Sequence, residues 1–488
     1  MNDRQRLRIA VIGGGISGLS AAWFVRRQLV DAVQPGEVTV FEASDRLGGC
    51  LRSTTLHDAL PITADTGAEA ALARRPEAVE LADRLGLARQ TPGTTRSGIY
   101  SSGKLRPIPT GTVMGVPGDP AGAIGVLTPD EVARAEAERL TEPVDDDTSV
   151  GDWIAARLGA AVTDRLLDPL LGGVYAGNAR LLSLRATVPA LWPAAQAGTS
   201  VLEAVRHNNA AVAAKAAEAR ARGEEAQPVF MGLEGGMARL ISELARRLAA
   251  TADRPAAEVP VNIRTSTPVT HLARTATPGS GAAEEWRLVA GGEPHVFDAV
   301  IVALPAHAAS RLLSDAVPAA TGELSRIEHA SSAVVTALVN LEGGQLEGSG
   351  LLVPPSQTTV IKAATFSSNK WPWLRRHLPA GTALLRTSVG RFGDPGWLHS
   401  DDDKLTRAAL GDLERIVGRR LPVVASELTR WDESLPQYAV GHLDRVARIR
   451  RAVSAQAGLA LAGAAYDGVG IPACVASAER AARIVTAS

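Results

Sequence analysis

The sequence predicts an α/β fold, α+β overall: a parallel-sheet domain built from distant stretches of chain, with a mixed-sheet domain and a helical domain inserted between them. Three observations carry this. A β-rich run at 8–12, a helical stretch at 17–28 and a second β-rich run at 38–41 form a βαβ unit at the start of the chain. The β signal returns at 261–264, 286–289 and the strongly apolar 299–304, and the last segment, 459–482, reads as strand, glycine-rich turn and helix. Between these ends, 151–222 reads as mostly helical, while strand candidates at 333–341, 350–353 and 383–389 suggest the second sheet.

Composition limits what such a chain does. It has 488 residues, 45% apolar and 21% charged, which is globular. Its 51 basic and 52 acidic side chains leave a net charge of −1, which argues against nucleic acid or an anionic membrane as main partner. Two cysteines, Cys50 and Cys474, provide no disulfide framework and suit a reducing cytoplasm. The basic head and apolar run of the first two dozen residues mimic a signal peptide, but three consecutive glycines suit a strand-to-helix turn better. No apolar run is long enough to span a membrane. The stretch 141–149, with its Asp145–Asp147 acidic run, reads as an exposed loop; 211–226, rich in Ala, Glu and Arg, as a solvated helix and loop; and 275–283 as a hairpin tip.

The strongest motif is Gly13-Gly14-Gly15-Ile16-Ser17-Gly18, which holds GxGxxG between the predicted strand and helix. Glycine there permits the tight turn, the approach of backbone N–H groups to a pyrophosphate and close helix-on-strand packing. Glu42 closes the next strand, 24 residues after Gly18, where a carboxylate can bind a ribose hydroxyl pair. These features make the first domain Rossmann-like.

After Glu42 comes Ala43-Ser44-Asp45-Arg46-Leu47-Gly48-Gly49. Here the chain resembles the FAD-dependent family of amine oxidases, phytoene desaturases and protoporphyrinogen oxidases, where such an Arg-x-Gly-Gly segment lies along the FAD diphosphate. Residues 167–178, LDPLLGGVYAGN, with Leu182-Ser183, resemble the central signature of the protoporphyrinogen and coproporphyrinogen oxidases. Residues 107–117, PIPTGTVMGVP, are similar to that group's entry into the helical domain, and 463–472, GAAYDGVGIP, to its C-terminal flavin motif. Asn178 stands where Asp is frequent. The likeness covers essentially the whole chain in the family's order.

The resemblance implies an amine-oxidase-like arrangement, with FAD-binding parts at 1–73, 233–306 and 441–488, substrate-domain parts at 74–110 and 307–440, a helical domain at 111–210 and a connector at 211–232. It places Gly67, Ala68, Glu69 and Ala70 beside the flavin, with Ala68 where many relatives have Pro. Val269 would hold the adenine, Trp431 would lie near the cofactor, and Gly463, Val469, Gly470 and Ile471 would line the flavin end. Ordinary core packing accounts for Val269 and Trp431 equally well. The helix starting near Pro472 would direct its positive end at the flavin pyrimidine, where charge gathers on reduction. Cys474 matches an ordinary position, so the FAD is expected to be noncovalent.

For the substrate, the resemblance implies that Arg74 and Arg75 hold a propionate, an Arg fork suiting a carboxylate. A solvated pair opening a helix is the plain alternative. Lys104, Arg106, Lys362, Arg386 and Arg391 are further basic residues open to propionates. The implied reaction is oxidation of a porphyrinogen by O2 with release of hydrogen peroxide, in haem biosynthesis, with no catalytic base nominated. The Ala/Arg/Gly-rich usage resembles actinobacterial members, which points to coproporphyrinogen III, with protoporphyrinogen IX as the alternative. An amine oxidase or desaturase, and a porphyrin-escorting flavoprotein without catalysis, are the other readings. Gly98 to Leu105 matches GxxxxGK but carries Leu105 where a magnesium-binding hydroxyl belongs, and it reads as a hairpin. The nine histidines show no ligand spacing, so no metal is expected, and no GxSxG elbow is present.

Overall fold

The computed structural model describes residues 6–57, 60–223, 228–250, 259–275, 285–342 and 344–487. The predicted hairpin tip at 275–283 lies, beyond its first residue, outside the described residues.

Five parallel strands form the central sheet, in the order Val261–Arg264, Gly36–Phe41, Leu7–Ile12, Ala299–Val302 and Leu459–Leu461. Both faces are covered, as parallel strands require. Period-two alternation divides their side chains between two cores. Ile9, Val11, Val38, Val40 and Ile301 face a core shared with the helices Ile16–Asp31, Arg239–Ala249 and Ile471–Thr486. Ala10, Ile12, Phe41, Val300 and Val302 face the other, where Trp286 is fully buried under an antiparallel sheet of Val269–Thr275, Glu285–Ala290 and Glu293–Phe297.

The second sheet is mixed and has seven strands, in the order Val423–Pro436, His329–Asn340, Thr382–Val389, Ile361–Thr365, Gly350–Leu352, Ser97–Ser101 and Lys104–Pro107. The Gly98–Leu105 segment is thus a hairpin within this sheet. A separate helical core gathers Trp153, Ile154, Leu166, Leu171, Leu191 and Val205.

Within 107–117, Thr112–Val113 pairs with Val116–Pro117, with Met114 at φ 49° and Gly115 at φ 85° making the turn. The boundary expected at 210 falls inside one continuous helix, Val201–Ala221, because the Ala-rich tract keeps strong helix propensity past it. No helix among the described residues is long and apolar enough to cross a membrane, and no group of three or more His, Cys, Asp or Glu among them could hold a metal.

Candidate active site

The glycine turn is shaped by close backbone approach. Gly13 has φ 111° and donates to Phe41 O at 2.8 Å, and a Cβ on it would lie 2.5 Å from Ala303 O. A Cβ on Gly18 would lie 1.8 Å from Gly13 O, so the helix Ile16–Asp31 rests directly on the turn. Gly15, its N-cap, differs: the nearest atom to its Cβ would be Gly49 Cα, at 4.0 Å. No side chain caps this helix, which leaves its first N–H groups available to a ligand.

The Arg46-Leu47-Gly48-Gly49 segment forms the opposite lip. Gly48 N–H donates to Gly14 O at 2.9 Å, and Gly15 and Gly48 form an isolated bridge. Gly48 and Gly49 have φ of 109° and 55°, and the Arg46 guanidinium bonds Gly49 O at 3.0 Å, folding the segment back on itself.

Glu42 joins the two lips. Its carboxylate accepts from Gly14 N–H at 2.7 Å and from the Ser44 N–H and hydroxyl at 2.9 and 2.8 Å. Ala43 is exposed beside it. Thr267 N–H donates to Glu42 O at 2.8 Å, which brings half-buried Val269 close to this end.

The turn 67–70 is fixed from three sides. Trp431 Nε1 donates to Thr66 O at 3.0 Å, Ala68 N–H to Cys50 O at 3.1 Å, and the Arg386 guanidinium to Gly67 O at 2.5 Å. Gly67 has no room for a side chain: a Cβ would lie 1.9 Å from Cys50 O. Ala68 and Ala70 pack against neighbouring apolar clusters. The Glu69 carboxylate, 11% exposed, is bound to Lys370 at 2.8 Å, Arg386 at 3.0 Å and the Ser367 hydroxyl at 2.9 Å. Burial pushes its carboxyl up, but the Lys370 and Arg386 cations outweigh that and hold it at about 2.

At the C-terminus, Gly463 and Gly468 have φ of 136° and 129°. The Tyr438 hydroxyl donates to Ala464 O at 2.5 Å and accepts from Gly468 N–H at 2.7 Å, clasping the turn before Val469-Gly470-Ile471. Tyr438 stacks on buried His442 with ring centroids 3.9 Å apart, and burial pushes that imidazole down to about 4. Gly470 N-caps the helix Ile471–Thr486 without a side-chain cap. Half-buried Val469 packs against the helical core together with Leu170 and Leu352. Tyr438 had no sequence signal beyond being aromatic, and it was missed.

The Arg pair divides. Arg75 is bound to Glu77 at 2.6 Å, whereas Arg74 is exposed and makes no ion pair among the described residues.

A model of the family described as flavin containing amine oxidoreductase matches residues 16–486. The chain belongs to that family. Its cofactor is therefore FAD. Coproporphyrinogen III oxidase of Mycobacterium leprae is 37% identical over 96% of both chains, and that of Bacillus subtilis is 31% identical over 97% of both. Protoporphyrinogen oxidase of Bos taurus is 29% identical over 97% of both. Among solved structures, a candidate protoporphyrinogen oxidase from Exiguobacterium has a TM-score of 0.80 at 31% identity, covering 98% of both chains. Cyclohexylamine oxidase of Brevibacterium oxydans has a TM-score of 0.66 at 15% identity, covering 99% of both, and shares the fold.

The residues present fit the flavin dinucleotide. The open space over Gly15 and the uncapped helix behind it suit a diphosphate, and Glu42 suits the adenosine ribose. The Gly470 N-cap offers backbone N–H groups to the flavin ring. Glu42→Ala is expected to weaken FAD binding about tenfold to a hundredfold, since a charge-assisted hydrogen bond is lost together with the tie to Gly14. Fluorescence titration of apoprotein with FAD checks this. Cys474 is buried, which pushes its thiol up to about 11 and leaves little thiolate for attachment. Denaturation is expected to release all yellow colour from the polypeptide, read by absorbance after ultrafiltration.

Proposed function

We propose that this protein oxidises coproporphyrinogen III to coproporphyrin III, with O2 as electron acceptor and hydrogen peroxide as product. The observation that carries this reading is the 37% identity to the Mycobacterium leprae coproporphyrinogen III oxidase, which runs through 96% of both chains. Protoporphyrinogen IX is the second reading, supported by the more distant bovine relative.

Bound FAD supplies the hydride acceptor for a carbon of the macrocycle. The chain supplies placement. The backbone N–H groups at Gly15 to Ser17 hold the diphosphate, Glu42 holds the ribose, and Val269 flanks the adenine. Trp431 and the 67–70 turn support one side of the flavin, while Tyr438 fixes the Val469–Ile471 segment. Leu170, Leu352 and Val469, each packed against the helical core, supply apolar surface at the domain's edge. Arg74, unpaired and exposed, holds a propionate. No side chain is assigned as a base, because the leaving proton belongs to an acidified pyrrole N–H and positioning suffices. The protein acts in the cytoplasm.

Turnover of both porphyrinogens under air, followed by porphyrin fluorescence and peroxide release, tests the reading. A higher kcat/KM for coproporphyrinogen III is expected; a higher value for protoporphyrinogen IX contradicts the substrate assignment.

A further inference from the structure

The structure separates the five other basic residues open to binding carboxylates. Lys104 is exposed on the outer hairpin with half-buried Arg106, and Arg386 is committed to Glu69 and Gly67 O. Lys362 and Arg391 differ from these. Lys362 is 6% exposed, on the strand Ile361–Thr365, and its ammonium donates to Gly390 O at 2.5 Å. Arg391, the next residue along, donates to Val353 O at 2.5 Å. No Asp or Glu among the described residues ion-pairs with either cation.

We propose that Lys362 and Arg391 form a second carboxylate anchor, which takes a propionate of the substrate at the junction of the mixed sheet and the helix Asp168–Tyr175. This rests on the porphyrinogen reading above.

Several independent observations place the pair there. Gly172, in the helix Asp168–Tyr175, lies so close to Arg391 that a Cβ on it would be 3.1 Å from the guanidinium Nη1. A Cβ on Gly173 would touch Leu352 at 3.6 Å, and Phe392 N–H donates to Ala176 O at 2.6 Å. Tyr175, at the end of the same helix, packs on Tyr438 with ring centroids 5.6 Å apart, and Tyr438 holds the turn of the flavin motif through Ala464 and Gly468, so the helix beside the cations is tied to the flavin segment.

The charge there is incomplete. Two cations with no ion-paired carboxylate are costly to bury, and an incoming anion relieves the cost. Asp168 and Asp394 are the acids that act on Arg391; neither is within ion-pair distance, and Asp168 accepts from Ala179 N–H at 2.7 Å. Of the three N–H bonds of the Lys362 ammonium, one goes to Gly390 O and two are left for a carboxylate. Burial pushes Lys362 down to about 7, with Arg391 adding to the effect, so the amine is partly neutral at neutral pH and a carboxylate beside it would favour the charged form. A substrate with four propionates uses such an anchor in addition to Arg74.

The test compares wild type, Lys362→Met and Lys362→Arg on coproporphyrinogen III and on its tetramethyl ester. For the tetra-acid, Lys362→Met is expected to raise KM about tenfold or more with a smaller change in kcat, while Lys362→Arg stays near wild type. For the ester, the KM of wild type and Lys362→Met should agree. An unchanged KM for the acid, or an equal rise for the ester, would overturn the anchor. A wild type that oxidises no porphyrinogen would defeat only the functional reading. Fluorescence titration with coproporphyrin III, which needs no turnover, then decides: about tenfold weaker binding by Lys362→Met supports the anchor, and equal binding overturns it.

Discussion

Gly18→Ala is expected to give a protein that neither holds FAD nor keeps its melting temperature. The new methyl would sit 1.8 Å from Gly13 O, which is backbone and cannot swing aside. The helix Ile16–Asp31 would have to lift from the turn, and with it the contact surface of the helix Ile471–Thr486 in the shared core. A loss of about 4 kcal/mol or more places this among the exceptional single substitutions. Gly15→Ala separates folding from binding. Its φ is −74° and no atom lies closer than 4.0 Å to the added carbon, so the apoprotein should melt like wild type. The methyl would nevertheless occupy the space where backbone must meet the pyrophosphate, and FAD should be lost. Thermal melts of both apoproteins, with absorbance of the purified holoproteins, check the pair. A yellow, stable Gly18→Ala protein would refute this account of the turn.

Glu69→Gln is expected to destabilise the protein by about 3–5 kcal/mol, because it leaves Lys370 and Arg386 buried without their anion. Gln preserves shape and can still meet the Ser367 hydroxyl, so the loss reports charge and not a cavity. The same group sets an acid limit. Its folded pKa, about 2, lies below the ordinary value of about 4.3, so its contribution is complete above that value and fades as pH falls toward 2. Wild type should therefore lose stability relative to Glu69→Gln as pH drops through this window. A pH-independent difference in melting temperature would contradict the ion-pair account.

The parallel sheet was legible in the sequence because buried strands of this kind are continuous apolar runs. Residues 299–304 cover the strand Ala299–Val302, and 38–41 lie within Gly36–Phe41. The long strand Val423–Pro436 was not legible. It is an edge strand, held by backbone pairing to His329–Asn340, and most of its side chains are exposed or half-buried, so apolar periodicity is weak. Within the site, Gly13 to Gly18 and Glu42 could be read from spacing, since the chemistry depends on local chain geometry, whereas Arg46 to Gly49 followed from the resemblance. Glu69 shows the limit. Its position beside the turn followed from resemblance, but its partners Lys370 and Arg386 lie 301 and 317 residues away, a pairing that only the fold creates. Tyr438 was missed for the same reason: its bonds to Ala464 and Gly468 join a segment after the edge strand to the C-terminal motif.

The central claim is that bound FAD oxidises a porphyrinogen held against it. Anaerobic mixing of the wild-type holoprotein with coproporphyrinogen III tests it most directly. The account predicts loss of the visible flavin absorbance with appearance of coproporphyrin III, at a faster rate than with protoporphyrinogen IX, and recovery of the yellow form on admitting air. Retention of the oxidised flavin spectrum with both porphyrinogens would contradict it.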